Sequence, residues 1–265
     1  MQVARLNKTC WNEIDKRRIE MGFSFETALE QSLAYFGGDK LAASVFLEKY
    51  ALTDPATKEI LEPDPSFMHR RLAREFARIE ANYPNPLSEE EIFGLLDRFQ
   101  RIIPQGSPMS GIGNNHYIQS LGNCFVLPSP LDSYGGICYT DQELVQLAKR
   151  RAGIGFDLSN LRPAGFPTRN SAKASTGVVS FLRRFSNSIR EVAQSGRRGA
   201  LLCSLSVHHP DVAAFITSKR DRKEITGANI SVRASDEFMH AVKNNLEYEQ
   251  RFPVDSQNPT FRRMV

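Results

Sequence analysis

The first hundred residues carry apolar side chains at intervals of three and four, with charged residues between them, which is the period of an amphipathic helix. The clearest stretch, residues 64–83, opens with an Asp-Pro pair that is typical of a helix start. Its apolar positions are Phe67, Met68, Leu72, Phe76, Ile79 and Tyr83. Ser88 and Glu91 have the spacing of a capping box ahead of a second helix, and residues 41–50 indicate a third. We therefore predict an N-terminal all-helical domain over residues 1–103.

From about residue 104 the pattern changes, because glycine and proline separate short apolar runs from helical ones. The runs NCFVL, IGFDL, ALLCSLSV and ANISVR predict strands. The predicted helices are one capped by Thr140 and Glu143, one over residues 178–192, one that starts at residues 209–211 and one that Ser235 opens. Such alternation is typical of an α/β fold with a largely parallel sheet. We therefore predict an α/β domain over residues 104–265.

The composition is that of an ordinary globular protein, with 265 residues, 41% hydrophobic and 24% charged. No stretch approaches the roughly 20 apolar residues that span a bilayer, and the N-terminus lacks the apolar core of a signal peptide. We therefore expect a cytoplasmic protein with no membrane partner. The net charge of +4 is spread over alternating acidic and basic residues. Because extended nucleic-acid binding needs a concentrated basic face, we expect no nucleic-acid partner.

The cysteines lie far apart in the sequence, without a CxxC pair or a histidine at metal-ligand spacing. They are Cys10, Cys124, Cys138 and Cys203. This spacing argues against a metal site, and structural disulfides are disfavoured in a reducing compartment. The thiols are therefore either buried filler or redox-active groups. Cys124 lies in an apolar run behind a glycine, which predicts a buried or half-buried strand.

Two groups of residues are candidates for binding phosphate or nucleotide. Gly153 begins a Gly-Ile-Gly turn that precedes a strand instead of following one, so it is not a dinucleotide fingerprint, and a tight turn explains it equally well. Asp132 and Ser133, together with Arg162 and Arg169, combine a carboxylate that can accept from a ribose hydroxyl with guanidinium groups that suit phosphate oxygens. Solvated loop charges are the alternative.

Two further segments have the flexibility to approach a phosphate closely. Residues 195–200, SGRRGA, place two arginines between glycines directly before a predicted strand. Residues 106–111 predict a loop of small and hydroxyl-bearing residues that can hold a diphosphate. An exposed basic turn and a turn without ligand are the respective alternatives. The His208-His209 pair is interpreted as a surface pair that caps a helix, with no catalytic role.

Taken together, the order of these segments resembles that of one protein family. Along the chain they are SPMSG, SLGNCFVL, LDSYGGI, KRRAGIGFDLSNLRPAG, STGVVSFLRRFSNSIREVAQSGRRGA, HPDVAAFI and GANISVR. This succession is similar to the large chain of ribonucleotide reductases, most of all to the adenosylcobalamin-dependent branch, over about residues 41–252. The resemblance implies a helical domain followed by the first half of a ten-stranded α/β barrel. It also implies replacement of a ribonucleotide 2′-hydroxyl by hydrogen through a cysteine thiyl radical.

The resemblance also implies roles for residues of an active site. Cys124 matches the first cysteine of the reducing pair, which protonates the departing hydroxyl and then supplies reducing equivalents. Ser107 matches the residue before the substrate-phosphate loop, while Asn123 and Gly153 match positions that line the substrate. Asn123 replaces a serine that is common there in the family. No metal ligand is implied in this part of the chain.

A second site implied by the resemblance binds a deoxynucleoside triphosphate effector, which in the family selects the base to be reduced. Asp132, Ser133, Arg162 and Arg169 match this site. Arg198, in the SGRRGA segment, matches the loop that links the effector to the substrate. We therefore expect these residues to serve nucleotide binding.

The same resemblance implies cofactors and partners. It favours adenosylcobalamin as the radical source over a separate metal-containing subunit, and it implies a ribonucleotide substrate, a thioredoxin-type reductant and a homo-oligomer when the protein is complete. The thiyl cysteine and the second redox cysteine belong to later segments of the family. We therefore expect activity to need a complementary C-terminal reductase polypeptide. The alternatives are a non-catalytic deoxynucleotide-binding regulatory protein and an inactive remnant.

Overall fold

The computed structural model describes the residue ranges 22–192, 199–221 and 223–265. The chain divides into two compact units, Met1–Leu121 and Gly122–Val265. The division lies after the change in sequence pattern near residue 104. Met109 and Ile112, which follow that change, still pack against the helical core. Within the described ranges, no helix is both long and apolar enough to cross a membrane.

The first unit is built of helices. Their bounds are α1 Phe25–Tyr35, α2 Lys40–Lys49, α3 Pro65–Glu80, α4 Glu89–Leu96, a short 3-10 helix Asp97–Phe99 and α5 Gly106–Gly111. The Asp64 side chain caps α3 by accepting a hydrogen bond from the Ser66 N–H (2.7 Å). The predicted capping box of Ser88 and Glu91 is confirmed at the start of α4. The apolar face of α3 points into the core, where Met68 is fully buried.

Residues 106–111 form helix α5, so the predicted loop at this place is wrong. Ser107 and Ser110 are buried, and the Ser110 hydroxyl donates to the Gly106 carbonyl oxygen (2.9 Å). Glycine, serine and proline favour turns when only local preferences are considered. Here Met109 packs against the helical core, and this burial outweighs the low helix propensity of the segment.

The second unit alternates strands and helices, which confirms the predicted α/β class. In chain order its elements are β1 Cys124–Val126, α6 Tyr134–Ala148, β2 Gly153–Asp157, α7 Val178–Glu191, β3 Leu201–Ser206, α8 Val212–Thr217, β4 Ala228–Arg233, α9 Asp236–Asn244, β5 Glu249–Phe252 and β6 Phe261–Met264. Strands β1 to β4 form a parallel sheet in that order, and β5 pairs with β6 in antiparallel fashion. A helix connects each pair of neighbouring parallel strands, as parallel pairing requires.

Helix α6 begins earlier than the sequence indicates. Ser133 is its N-cap and accepts a hydrogen bond from the Gly136 N–H (3.0 Å), whereas Thr140 is buried in the middle of the helix. The predicted cap at Thr140 and Glu143 is therefore wrong. Two consecutive glycines near the true start lower the local helix propensity, but Ile137 packs into the core and the first turn is helical.

Helices α6 and α7 cover one face of the parallel sheet. The core between them includes Leu182 and Phe185 of α7, both fully buried. The Phe185 ring meets Phe156 of β2 edge to face, with ring centroids 4.9 Å apart. Burying a side chain of this size stabilises the fold by about 1.5–3 kcal/mol relative to leaving it exposed. Most of the described residues on the opposite face of the sheet are partly or fully exposed.

Candidate functional site

The strand register assigns each residue of the sheet to one of its two faces. Phe125 pairs with Ile154, which pairs with Leu201, and these side chains lie on the face that the helices cover. The residues that alternate with these along each strand point to the other face, where they are partly or fully exposed. They include Cys124, Val126, Gly153, Gly155, Leu202, Ser204, Asn229 and Ser231. We call this second side of the sheet the open face.

Cys124 begins the edge strand β1, and its side chain is exposed on the open face. All three residues of β1 are exposed, so the predicted buried or half-buried strand is wrong, because an edge strand with one uncovered face has few neighbours. The Cys124 sulfur lies 3.4 Å from the position that a Cβ on Gly153 would take. A Cβ on Gly155 would meet only the Leu202 carbonyl oxygen, at 3.6 Å. The sulfur therefore adjoins bare backbone that a ligand can approach closely.

The other cysteines of the described ranges are placed differently. Cys203 of β3 is fully buried on the helix-covered face, and burial raises the pKa of its thiol. Because the thiolate is the reactive form, Cys203 acts as core filler. Cys138 is exposed on α6. Cys10 lies outside the described residues.

Two of the three predicted substrate residues adjoin Cys124 in space. The Gly153 N–H donates to the Asn123 carbonyl oxygen (2.7 Å), which extends the pairing of β1 and β2 by one residue. Asn123 itself is half-buried. Ser107, the third, belongs to the helical unit and is buried in α5. The sheet thus brings Asn123, Cys124 and Gly153 together.

A polar cluster lies at the carboxyl ends of the strands on the open face, and the sequence analysis missed it. The Arg233 Nε lies 3.0 Å from Asp157 Oδ2, and the Ser204 hydroxyl donates to the same oxygen (2.7 Å). The ion pair therefore crosses from β2 to β4 above β3. The alternation of serine with leucine in LLCSLS is the signal that could have indicated a polar side of β3.

A cavity of about 390 Å³ is bordered by the start of α6, by α7 and by residues 162–177, which we call the cavity loop. Its lining includes all four of the predicted effector residues that the structure describes, namely Asp132, Ser133, Arg162 and Arg169. Tyr134 and Phe181 add an apolar wall, with ring centroids 6.1 Å apart in an edge-to-face arrangement. The volume is in the range of small-molecule sites. The lining suits a ligand that has a flat ring and an anionic group.

Asp132 and Arg162 are joined by two hydrogen bonds at this cavity, and we call them the two-point pair. The Arg162 backbone N–H and Nε donate to the two oxygens of the Asp132 carboxylate, at 3.0 and 2.8 Å. The Arg162 Nη1 also donates to the Pro167 carbonyl oxygen (2.9 Å). The backbone contact holds the carboxylate in place, and its charge-assisted hydrogen bond from Nε is stronger than a neutral one. Asp132 therefore fixes the direction of Arg162.

The remaining polar groups of the cavity leave a positive charge accessible. The Ser133 hydroxyl is engaged in capping α6, whose first turn brings the positive end of the helix dipole to the cavity. Arg169 is exposed, and among the described residues its guanidinium has no hydrogen-bond or ion-pair partner. Arg198, the last of the predicted effector residues, lies outside the described residues. The cavity therefore favours an anionic ligand.

His208 and His209 are both buried, so their interpretation as a surface pair is wrong. The His208 ring nitrogens lie 2.6 Å from the Glu249 carbonyl oxygen and 2.6 Å from Ser235 Oγ. The His209 Nε2 lies 2.8 Å from the Leu161 carbonyl oxygen, and burial lowers the pKa of this ring. The sequence gives no sign of this burial, because all these partners come from distant segments.

Comparison with known proteins identifies relatives of the chain. The family model that matches it is described as ribonucleotide reductase, barrel domain, and covers residues 122–264. A vitamin B12-dependent ribonucleoside-diphosphate reductase of Mycobacterium tuberculosis is 33% identical over 208 residues, which are 77% of this chain and 29% of the relative. One from Thermoplasma acidophilum is 32% identical over 178 residues, 66% of this chain and 22% of the relative. The ribonucleoside-diphosphate reductase large subunit of Arabidopsis thaliana is 32% identical over 142 residues, 51% of this chain and 17% of the relative.

The matched domain coincides with the α/β unit. It begins at the residue where that unit begins and includes all of its described strands. The open parallel sheet fits part of an α/β barrel. The chain spans less than a third of the length of these relatives, 29% in the first case. With its barrel domain matched over more than half of its residues, this chain belongs to the ribonucleotide reductase family.

Proposed function

We propose that this chain forms the helical domain and part of the barrel of a ribonucleoside-diphosphate reductase large subunit, which converts ribonucleotides into deoxyribonucleotides. The observation that carries the proposal is the exposed Cys124 sulfur on the open face, beside the bare backbone of Gly153. A thiol that is oxidised to a disulfide as it acts on a substrate, and is regenerated by a thioredoxin-type reductant, has to be accessible to both. The names of the relatives support the same reaction.

In this proposal Cys124 supplies half of the reducing equivalents. Its S–H group protonates the hydroxyl that leaves C2′ as water, and its sulfur then bonds to the sulfur of a second cysteine. A thiyl radical on a third cysteine takes a hydrogen atom from the ribose and later returns one. Overall, one ribonucleotide and two thiols give one deoxyribonucleotide, one water and one disulfide, so atoms and electrons balance.

The open face supports the need for a complementary polypeptide. Parallel sheets are covered on both faces in nearly all α/β proteins. Here Leu202 is 44% exposed and Val126 is 90% exposed. We infer that a polypeptide with the remaining barrel strands covers this face and supplies the thiyl cysteine and the second redox cysteine. The completed reductase is expected to be a homo-oligomer.

The cavity beside α6 is the proposed effector site for a deoxynucleoside triphosphate. Arg162 and Arg169 would bind the phosphate oxygens, and the first turn of α6 favours the same negative charge. Tyr134 and Phe181 offer apolar surface to a base. The segment of Arg198 is proposed to carry the effect of the bound nucleotide to the substrate.

A cobalamin is the proposed radical source, because two of the relatives are named as vitamin B12-dependent. The cavities of about 390 and 480 Å³ have the volumes of small-molecule sites, and a corrin ring system is far larger than a nucleotide. These cavities therefore do not fit a cobalamin, and we assign its binding mainly to the polypeptide that completes the barrel. A separate metal-containing subunit is the alternative source.

Reconstitution tests this function. The full chain is mixed with a polypeptide that carries the rest of the large subunit from the same organism, together with adenosylcobalamin and dithiothreitol, and conversion of cytidine diphosphate is measured. We expect the pair to turn over and Cys124→Ser to reduce turnover to background. Cys138→Ser, which changes another exposed cysteine, should retain activity. Undiminished turnover by Cys124→Ser would contradict the proposed role of this thiol.

A second candidate function is a non-catalytic deoxynucleotide-binding protein. One observation favours it, namely that the residues lining the cavity do not include any of the open face. Under this alternative Cys124→Ser leaves nucleotide binding and biological effect unchanged, and no added polypeptide produces reduction. The reconstitution assay therefore separates the two functions.

A further inference from the structure

Residues 207–211, which connect β3 to α8 and which we call the corner, form hydrogen bonds to both ends of the cavity loop. This corner contains His209 and Asp211, which do not line the cavity themselves. The His209 Nδ1 accepts a hydrogen bond from the Asp211 N–H (3.0 Å), so its Nε2 carries the proton and donates to the Leu161 carbonyl oxygen (2.8 Å). The ring thereby anchors the residue that directly precedes the loop.

The Asp211 carboxylate engages the loop on both of its sides. It accepts from the Ala164 N–H, with both oxygens at 3.1 Å, and from the Val178 N–H at 2.9 Å. Val178 is the first residue of α7, so the carboxylate also lies at the positive end of that helix. One side chain therefore fixes the early part of the loop and its exit into α7.

Gly177 shows how closely the loop is packed onto this carboxylate. Its φ of +82° is in the left-handed region, and an added Cβ would lie 2.7 Å from Asp211 Oδ2 and 2.7 Å from Ala164 Cβ. Gly165, in the same loop, has a φ of +79° but would place a Cβ in open space. The two glycines therefore share a positive φ and differ in their contact with Asp211.

The part of the loop between these anchors supplies much of the cavity. Eight of its residues line the cavity, among them Arg162 and Arg169. The loop is narrow, since the Thr168 N–H donates to the Lys173 carbonyl oxygen (2.9 Å) and the Ser175 N–H to the Phe166 carbonyl oxygen (2.8 Å). These backbone hydrogen bonds link the two sides of the loop to each other between its anchored ends.

We propose that His209 and Asp211 are positioning residues for nucleotide binding, because they hold the cavity loop in the shape that presents its arginines to a phosphate. This inference rests on the proposed effector site. The corner extends directly from β3, so the same contacts tie the cavity to a strand that borders the open face.

The test measures binding of dATP, dGTP, dCTP and dTTP to the full chain by calorimetry. We expect Asp211→Asn to raise the dissociation constant of the bound nucleotide about tenfold, which is about 1.4 kcal/mol. Asp39→Asn is the matched control, because Asp39 caps α2 in the helical unit and should leave affinity unchanged. Protection of β3 amides from hydrogen exchange reports whether each variant is folded.

A spectroscopic readout separates positioning from simple stabilisation. In the wild type we expect nucleotide to shift the amide signals of Ala164 and Val178, although neither lines the cavity. In Asp211→Asn this response should disappear. If Asp211→Asn does not fold, the affinity of Gly177→Ala is compared with that of Gly165→Ala. Both variants place a Cβ on a residue with positive φ, and only the Cβ at position 177 lies against Asp211.

The outcomes distinguish this inference from the effector site on which it rests. Wild-type chain that binds none of the four nucleotides overturns both. Wild-type chain that binds one of them, with the affinity of Asp211→Asn within twofold of that of Asp39→Asn, overturns the positioning role alone. Where Asp211→Asn does not fold, an affinity of Gly177→Ala within twofold of that of Gly165→Ala has the same meaning.

Discussion

At the scale of single residues, the candidate effector site depends on which arginines are paired with protein groups and which can bind a ligand. Arg162 is oriented by Asp132, whereas Arg169 has no partner among the described residues. The sequence analysis grouped these residues as a nucleotide-binding candidate by their chemistry, and the resemblance to a family assigned them to an effector site. Nothing in their spacing could have predicted the two-point pair, because it joins segments that are 30 positions apart.

The accessible cation of the cavity gives a direct prediction. We expect Arg169→Ala to weaken deoxynucleoside triphosphate binding about tenfold or more, because a charge-assisted hydrogen bond to phosphate is lost. The unfolding free energy should change little, since the side chain is exposed. Calorimetric titration measures the affinity, with Arg183→Ala on α7 as the control, because Arg183 pairs with Glu224 and does not line the cavity. Equal affinities of all three proteins would contradict the assignment.

A buried histidine in the helical unit should make stability depend on pH. His69 is fully buried, its ring nitrogens have no hydrogen-bond partner among the described residues, and desolvation lowers its pKa from 6.5 to about 4. Below pH 6.5 the unfolded chain takes up a proton that the folded chain does not, so stability falls as the pH is lowered to about 4. We expect this loss to be on the order of 2 kcal/mol.

Urea unfolding at several pH values checks this expectation. His69→Leu should show a flatter dependence between pH 6.5 and 4 than the wild type, because the titrating group is gone. His116→Leu, which changes an exposed histidine of the same unit, should keep the wild-type slope. A wild-type slope in His69→Leu would show that other groups cause the dependence.

At the scale of elements, periodicity predicted most helices and strands, and local chemistry predicted several of their ends. Ser88 and Ser235 cap helices as their spacing indicated. Helix α1 and strands β5 and β6 were not predicted. Three further predictions were wrong, at α5, at the start of α6 and in the burial of β1. These three errors have their cause in long-range packing. Met109 of α5 packs against the helical core, Ile137 of α6 belongs to the core of the α/β unit, and β1 lies at the edge of the sheet.

The two faces of β3 give a prediction at this scale. Leu205 is fully buried on the helix-covered face, whereas Leu202 is 44% exposed on the open face. We expect Leu205→Ala to lower the free energy of unfolding of the α/β unit by about 2–5 kcal/mol and Leu202→Ala to lower it by less than about 1 kcal/mol. Urea unfolding measures both. Equal effects would contradict the assignment of faces, and the lack of a cooperative transition would favour an inactive remnant.

At the scale of the whole molecule, this chain presents a helical unit and an α/β unit. Within the described ranges, helices cover one face of the sheet and the open face is exposed. The family resemblance predicted the order of these parts from sequence motifs, and the family model covers the α/β unit. The resemblance to half of a barrel implied missing cover, but the strand sequences did not show which face is exposed, because they do not state which neighbours are present. The same exposure leads us to expect a complementary polypeptide at this face.

The most direct test of the account is the fate of the Cys124 sulfur during one turnover. The chain and its complementary polypeptide are allowed a single turnover without external reductant, free thiols are blocked, and disulfide-linked peptides are identified by mass spectrometry. We expect the peptide with Cys124 to be joined to a cysteine of the complementary polypeptide, in an amount equal to the deoxyribonucleotide formed. Deoxyribonucleotide formed while Cys124 remains a free thiol would contradict the account.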